Sequence, residues 1–538
     1  MTRIRKGVYI GLVLLACACA VAAVSCVREP SAVKTGAAGE KAAKGPKVKG
    51  EGGTFTDPKV CGECHSTQYG QWLGSMHHYA QASLTNELVN DFLHKRTGKT
   101  ISAFCVQCHT PVGTVIGERY DLPNKERSQI SMAGVSCDVC HSMEKSHGQA
   151  QAFIELKASD KVYGPHGKGG EKDPPPAKIE FHEAQQRDVF KSSELCQQCH
   201  EVIVPNGLRL QETYTEWKLS PWSKEGVTCQ SCHMGPVPGK PSERPRGEIA
   251  QVAGVELPKR PLSDHSFIGV DYHWSDEYPL RGKGGKEPDD RTKKRNVKLQ
   301  GDLTKKRQEL MRNAAKLHVA APASLPPEAK ESLTVRIENT FTGHHFPGGF
   351  PWRQVWVEVK YTDAKGTVFF QSGDLDSNGD VRNQFSRDVN AGKVKEDRYL
   401  VNLQSQATVR GFTGSGLSMG NYVELPFPLS EEDTPSPTVF PSVSPQAVYD
   451  GADNARIVKR GIPARESRTF SYPLRVPEGA SGPITYSVRL LYRNFPPYYF
   501  DYFARYYTDL KDLLDTLKTK LELYEVDAVT GKVEVGRR

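Results

Sequence analysis

Long apolar runs and spare cysteines are both scarce in this sequence of 538 residues. After residue 25 no apolar run approaches the roughly 20 residues that a membrane-spanning helix needs, so we expect no such helix there. Of the 13 cysteines, Cys17, Cys19 and Cys26 lie in the apolar N-terminal segment, and ten lie between residues 61 and 232. Those ten all belong to one repeated pattern, which leaves no cysteine for a structural disulfide.

The repeated pattern is Cys-x-x-Cys-His, and it occurs five times. It is the attachment signature of c-type haem, in which two thiols bond to the porphyrin vinyl groups and the adjacent histidine binds the iron. The predicted attachment residues are Cys61, Cys64, Cys105, Cys108, Cys137, Cys140, Cys196, Cys199, Cys229 and Cys232. The predicted proximal iron ligands are His65, His109, His141, His200 and His233. The sequence therefore predicts five covalently bound haem c groups.

Two other chemistries use paired cysteines at this spacing. Structural zinc sites are built from such pairs, and thioredoxin-like proteins use one pair as a redox disulfide. Neither explains why a histidine follows the second cysteine in every copy. We therefore expect haem attachment at all five.

The N-terminus predicts export. A basic start with Arg3, Arg5 and Lys6 is followed by an apolar run over residues 8–24, so residues 1–25 are interpreted as an export signal. This agrees with the motifs, because haem is attached to c-type proteins outside the cytoplasm.

The end of the signal predicts a lipid anchor at Cys26. The small residues before it suit a lipoprotein site, although the usual leucine three residues upstream is missing. Cys17 is a rival site, and simple cleavage after Ala20 or Ala22 is a further alternative. A diacylated Cys26 would hold the protein on a membrane surface without a spanning helix.

The formal net charge of +8 misleads about the surface. Loss of the signal removes three positive charges, and the propionates of five haems would bring the reduced protein to about −5. The stretch 281–312 is locally basic, with twelve Lys/Arg against five Asp/Glu. A solvated linker is the default interpretation, and pairing with haem propionates is the alternative. We expect no nucleic-acid partner.

The chain divides by composition after the signal. Residues 26–56 are expected to be a flexible tether and 57–299 a pentahaem domain of short helices and irregular loops. The nearly equal spacings of 32 and 33 residues suggest that the second and third motifs, and the fourth and fifth, form haem pairs. Residues 300–327 are expected to be a basic linker with a connecting helix over 305–317.

Residues 328–538 change character. Apolar residues alternate with polar ones around 333–337, 355–361, 469–476 and 484–491, with a further strand expected at 399–403, which predicts a β-sandwich-like domain. Helical spacing then predicts a C-terminal amphipathic helix over 501–523. A closing hairpin is expected to turn at Thr530-Gly531. The fold class is thus a mainly helical multihaem region followed by a β-rich domain with a terminal helix.

Several segments resemble a known family. In the haem region these segments are Tyr69-x-x-Trp72-x-x-Ser75-Met76-His77 after the first motif, Gly134-Val135-Ser136 before the third, and Tyr163-Gly164-Pro165. In the second domain they are Asn339–Gly349 and Arg493-Asn-Phe-Pro-Pro497. They resemble the tetrahaem cytochrome c-554 family of nitrifying bacteria and related outer-surface multihaem cytochromes. The chain departs from that pattern in its fifth motif and in an insert around 281–307. The resemblance implies an electron carrier in which most irons have two histidine ligands.

The distal iron ligands must come from other histidines. Besides the motif histidines, the haem region contains His77, His78, His94, His147, His166, His182, His265 and His273. The resemblance favours His77, with His78 as its neighbouring alternative, and His265; His166 and His182 follow. Surface or structural histidines are the competing interpretation for each.

Two further features lie in the second domain. His344 and His345 are interpreted as a structural turn, with delivery of a ligand to a haem as the alternative. Residues 374–380 begin like a calcium-binding loop, but Phe385 stands where the twelfth-position glutamate belongs, so a surface turn is favoured.

The leading functional prediction is a pentahaem cytochrome of anaerobic or extracellular respiration, placed in the periplasm or at the outer membrane. It would exchange electrons with redox proteins or an extracellular acceptor. A redox enzyme acting on nitrite or hydroxylamine at one open iron is the alternative, although no motif has the lysine found in pentahaem nitrite reductases. A homo-oligomer or conductive filament is the third possibility.

Overall fold

A computed structural model describes residues 47–50, 53–88, 100–146, 155–159, 161–167, 182–203, 209–252, 255–274, 283, 289–413, 416–425, 455–479 and 482–536. The predicted export signal, Cys26, His94 and His147 lie outside these residues. Within the described part of the chain, no helix combines the length and apolarity needed to cross a membrane.

The first half of the chain consists of short helices and two-stranded sheets. Its helices are α1 (Pro58–Cys64), α2 (Ser66–Leu73), α3 (Thr100–His109), α4 (Pro111–Val115), α5 (Gln129–Met132), α6 (Cys137–His141), α7 (Glu194–His200), α8 (Thr213–Leu219), α9 (Pro221–Lys224) and α10 (Cys229–His233), with 3₁₀ turns at Asn124–Glu126 and Asp188–Lys191. Its strands pair as β1 (Lys47–Gly50) with β2 (Gly53–Thr56), β3 (Lys161–Gly164) with β4 (Glu183–Gln186), β5 (Val202–Ile203) with β6 (Arg209–Gln211), and β7 (Arg246–Glu248) with β8 (Lys259–Pro261). This matches the expected short helices around the motifs.

The end of the expected tether is folded. Residues 47–56 form the β1–β2 hairpin, and Phe55 is completely buried among Val112, Ile130 and Val139. The Thr56 amide donates a 2.5 Å hydrogen bond to Asp138 Oδ2 beside the third motif. A single large apolar residue therefore anchors a segment whose composition otherwise predicts a flexible chain.

Helix α11 (Asp290–Ala314) connects the two halves. It begins earlier than the expected 305–317 because the Asp289 side chain accepts a 2.8 Å hydrogen bond from the Thr292 amide and caps it. It ends before Leu317, which lies in strand β9 (Ala315–Ala320) opposite Ile337. One stripe of the helix is buried at helical spacing, namely Leu303, Arg307, Leu310, Met311 and Ala314.

The second half is β-rich. After β9 its strands are β10 (Ser324–Leu325), β11 (Lys330–Asn339), β12 (Gln354–Thr362), β13 (Val368–Ser372), β14 (Gln406–Thr413), β15 (Gly416–Leu425), β16 (Ala455–Val458), β17 (Ser467–Arg475), β18 (Ile484–Arg493) and β19 (Tyr524–Val535), with helix α12 (Arg387–Asn390) after β13. They form a five-stranded sheet ordered β10-β19-β18-β12-β13 and two three-stranded sheets ordered β17-β11-β9 and β15-β14-β16. Both the β11 and β12 sheets contribute to one buried cluster, and the alternating residues of β11 and β12 point into it as predicted.

Two expected β elements are corrected. Residues 399–403 form no strand and contribute only a bridge between Asn402 and Trp356. The hairpin at Thr530-Gly531 is absent because β19 runs straight through it, antiparallel to β18. Gly531 lies opposite Tyr486, and a Cβ on it would be 2.1 Å from Tyr486 Oη. This glycine therefore makes room for an aromatic ring and does not mark a turn.

The C-terminal helix is broken in two. Helix α13 (Pro497–Tyr506) and helix α14 (Lys511–Lys518) are separated by a 3₁₀ turn at Thr508–Leu510. The aromatic face of α13 packs against Leu84 and Leu88 of the haem region in one buried cluster. These aromatic residues are therefore part of the core between the two halves.

Candidate haem-binding site

All five Cys-x-x-Cys-His motifs open onto one cavity of about 2310 Å³. Small-molecule pockets usually measure roughly 300–1,000 Å³, so this cavity is large enough for several bulky groups. The histidines that line it outside the motifs are His77, His166, His182, His265, His344 and His345. Histidines from both halves of the chain therefore meet at the same internal space.

The motifs present their reactive groups on one helix face. Helix α6 spans Cys137–His141, so its cysteines lie three residues apart and the histidine one further; residues three and four apart share a face. Helices α3, α7 and α10 also end at their motif histidine, and α1 ends one residue before His65. All ten motif cysteines are free thiols that are partly exposed. Among the described residues, no group of three or more metal-binding side chains is placed to hold a single ion.

The proximal histidines are held through their outer ring nitrogen. Nδ1 donates to a backbone carbonyl in four of them: His65 to Ile249 (2.7 Å), His109 to Ala80 (2.7 Å), His141 to Tyr163 (2.6 Å) and His233 to Ile268 (2.8 Å). A carbonyl can only accept, so Nδ1 carries the proton and Nε2 keeps its lone pair for a metal. Burial lowers the pKa of His141 and of His200 to about 4, which keeps these rings in the neutral form that binds metals.

Two pairs of histidine rings face one another across the cavity. The ring centroids of His65 and His182 are 6.3 Å apart, and those of His77 and His200 are also 6.3 Å apart. With a metal–nitrogen distance of about 2.0 Å, two imidazoles on opposite sides of one ion have centroids roughly 6 Å apart. Each pair consists of a proximal histidine and a predicted distal one, so the spacing fits a haem iron between them.

His265 lies in the same cavity near the third motif. Its Nδ1 donates to the Ser263 carbonyl at 2.9 Å, and its amide donates to Gln71 Oε1 at 2.9 Å. It is close enough to His141 to contribute to the lowered pKa of that ring. Helix α2, which carries Gln71, therefore positions this histidine.

The other predicted ligands are placed differently. His166 lines the cavity. His78 does not line it, because its ring packs 4.3 Å from that of Trp72 and its Nδ1 donates to the Leu73 carbonyl at 2.8 Å. His273 packs 4.1 Å from the Tyr79 ring, also away from the large cavity. The geometry thus favours His77 over its neighbour His78.

Contacts between thiols give the spatial order of the motifs. Cys61 lies beside Cys137, Cys196 beside Cys229, and Cys108 beside Cys199. The first motif therefore lies beside the third, the fourth beside the fifth and the second beside the fourth. The predicted haem pairs, second with third and fourth with fifth, stay predictions; the fourth and fifth motifs lie side by side, and the second lies beside the fourth.

In the loop that begins like a calcium site, the side-chain oxygens accept hydrogen bonds from protein groups. Asp376 Oδ1 accepts from the amides of Asn378 (2.8 Å) and Asp380 (2.9 Å), and Asp380 Oδ1 accepts from the Tyr498 amide at 3.1 Å. Lys518 Nζ donates to Asn378 Oδ1 at 3.0 Å. The oxygens of the motif are used by protein donors, which agrees with the surface-turn interpretation.

Two comparisons with known proteins found a match. The model of the cytochrome c554 and c-prime family matches residues 60–142. A penta-heme cytochrome c552 from Thermochromatium tepidum is similar in structure, with a TM-score of 0.48 and 18% sequence identity over 88% of this chain and 98% of that one. No curated protein matches significantly.

The matched residues contain three of the motifs and His77. Together with the repeated motifs, this match indicates a multihaem c-type cytochrome with covalently bound haem, whose chemistry is electron transfer.

Proposed function

We propose that this multihaem c-type cytochrome binds five haems in one cavity and carries electrons between them. The observation that carries the proposal is that all five motifs line the same internal space. When bound, haem supplies one-electron chemistry at its iron. The protein supplies attachment, ligands, fixed spacing and exclusion of water.

The ring geometry supports particular ligand pairs. We assign His65 with His182 and His77 with His200, because both pairs have the 6.3 Å separation. We propose His265, which lines the same cavity, as a further distal ligand. His166 lines the cavity and is the remaining predicted ligand.

The backbone carbonyls set the role of the proximal rings. Each Nδ1–H···O bond fixes the ring orientation and raises the basicity of Nε2, which favours the ferric state of a bound iron. These bonds also keep each ring from rotating when the charge on the iron changes. Water-poor surroundings further lower the cost of moving an electron, because fewer solvent dipoles must reorient.

The proposal includes location and partners. An exported protein held at the periplasmic or outer-membrane surface through a diacylated Cys26 would pass electrons between a respiratory donor and an outer acceptor in anaerobic or extracellular respiration. The β-rich, sandwich-like domain would brace the haem region. Mass spectrometry of the mature N-terminus tests the lipid, and sedimentation distinguishes a discrete particle from a filament.

Haem counting and low-temperature EPR on one ferric sample test the core of the proposal. Five haems, with nearly all irons low-spin, is the expected result. Fewer than five haems would overturn it. A high-spin signal of one haem equivalent would favour the enzymatic alternative at one open iron. Activity toward nitrite and hydroxylamine would then decide.

A further inference from the structure

His344 reaches the cavity from the β-rich domain. It lies in the loop after β11 and lines the same space as the motif histidines. Its Nδ1 donates to the His345 carbonyl at 2.9 Å, so Nε2 is the nitrogen with a free lone pair. This is the arrangement found in four proximal histidines, and it is the usual one for a histidine that binds a metal.

The surrounding loop holds this ring in place. Asn339, which is fully buried, donates through Nδ2 to the carbonyls of His344 and Ile462, both at 2.9 Å. The loop then turns back so closely that a Cβ on Gly348 would lie 2.4 Å from His344 Nδ1. The buried amide of Asn339 and the close approach at Gly348 fix the backbone and the ring of His344. A solvent-exposed turn would not need this.

The neighbouring His345 interacts with Glu216. Its amide donates to Glu216 Oε2 at 3.2 Å, and its Nδ1 lies 3.4 Å from Glu216 Oε1. Lys459 Nζ holds the same carboxylate at 2.6 Å. His345 therefore belongs to an ion-pair cluster, and His344 is the histidine of this pair that remains for the cavity.

The position of His344 indicates which iron it would bind. The loop that carries His344 packs against residues on both sides of the fifth motif: the Phe341 ring lies 6.1 Å from a ring of Trp222, and Lys240 Nζ lies 4.6 Å from the Phe341 ring centroid. His200 already faces His77 at 6.3 Å. The proximal histidine without such a partner in this part of the cavity is His233, at the end of α10.

We propose that His344 is the distal ligand of the iron attached at Cys229 and Cys232, with His233 as the proximal ligand. This deepens the proposed function, because the β-rich domain then completes a redox centre as well as bracing it. The sequence pattern favoured a structural turn here, since nothing in it shows that residue 344 returns to a motif 111 residues upstream.

The test uses holoprotein variants and counts carbon monoxide bound per chain after reduction, together with ferric EPR. In His344→Ala one iron loses its distal ligand, so we expect one more CO per chain and one more high-spin equivalent than in the unsubstituted protein. His344→Met, which keeps a sixth ligand, should restore a low-spin spectrum with a raised potential at one haem. His318→Ala, a change of an exposed histidine on β9, is the matched control.

A double variant assigns the iron. If His77 and His344 serve different irons, His77→Ala/His344→Ala binds two additional CO per chain; if they serve the same iron, it binds one, which overturns the assignment. An unchanged CO count in His344→Ala with five haems present, or a gain in His345→Ala instead, would also overturn it. Fewer than five haems in the unsubstituted protein would count against the proposed function itself. Because His344→Met keeps the sixth ligand, it separates ligand loss from misfolding.

Discussion

Arg353 should join the β-rich domain to the segment that orients two of the proposed ligands. Its guanidinium, only 7% exposed, donates to both oxygens of Asp271, Nη1 to Oδ1 at 2.7 Å and Nη2 to Oδ2 at 2.6 Å. Asp271 lies three residues after Ile268, whose carbonyl accepts from His233. We therefore expect Arg353→Met to lower the free energy of unfolding and to loosen this segment.

The magnitude follows from the geometry. Each charge-assisted hydrogen bond contributes roughly 1.5–3 kcal/mol when buried, but Asp271 is 37% exposed, and water would partly replace the lost contacts. Methionine keeps apolar contact with Trp352 and Phe495, whose rings lie within 6 Å of the guanidinium carbon. The expected loss is about 2–3 kcal/mol, or roughly 4–12 °C in Tm for a domain of this size. Arg353→Lys keeps the charge without the paired geometry and should lose about half as much.

The assay is thermal and urea unfolding of the holoprotein followed by near-ultraviolet circular dichroism. The matched control is Arg119→Met, since Arg119 also pairs with both oxygens of an aspartate, Asp121, but is 71% exposed. Exposed pairs contribute about 0–1 kcal/mol. If both variants lose equal stability, burial does not make the Arg353 pair important, and the reasoning is wrong.

Three other outcomes are expected. Gly531→Ala should cost about 1–3 kcal/mol because the new methyl group meets the Tyr486 ring, and Tyr486→Ala in the same chain should recover most of that loss in urea unfolding. Burial raises the pKa of Asp380 to about 7 from an ordinary 3.8, although Arg493 lies 3.9 Å away. Between pH 4 and 7 the folded state therefore keeps a proton on Asp380 that the unfolded state loses. The free energy of unfolding should fall by up to about 1.4 kcal/mol per pH unit as the pH rises through this range. Asp380→Asn should flatten that slope. His182→Ala should add one CO-binding haem per chain, and an unchanged count would contradict the 6.3 Å pairing.

The attachment residues could be predicted from the sequence because their chemistry is local. Two thiols and an imidazole must lie on one helix face, so their spacing along the chain is their spacing in space. The same holds for β11 and β12, where alternation in the sequence matches burial in the structure. In both cases the sequence pattern and the structure that it determines lie within a few residues of each other.

Which distal histidine pairs with which motif, and the order of the motifs in space, could not be predicted in this way. His182 faces His65 from 117 residues away, and nothing between them in the sequence records that contact. The carbonyls that orient the proximal rings, such as those of Ile249 and Ala80, belong to the backbone and have no sequence signature. Gly531 was misread for a related reason, because a glycine beneath a ring and a glycine in a turn look the same in the sequence.

Contacts of three kinds cross the boundary between the haem region and the β-rich domain that was placed from composition. The aromatic face of α13 packs on Leu84 and Leu88, Arg353 pairs with Asp271, and His344 enters the cavity of the motifs. The haem region has an apolar cluster of its own around Phe55, and the β-rich domain adds to the lining of the cavity. If each porphyrin in turn supplies core for the protein around it, neither half is expected to reach its native structure alone. Folding, haem attachment and docking of the second domain should therefore be one coupled process.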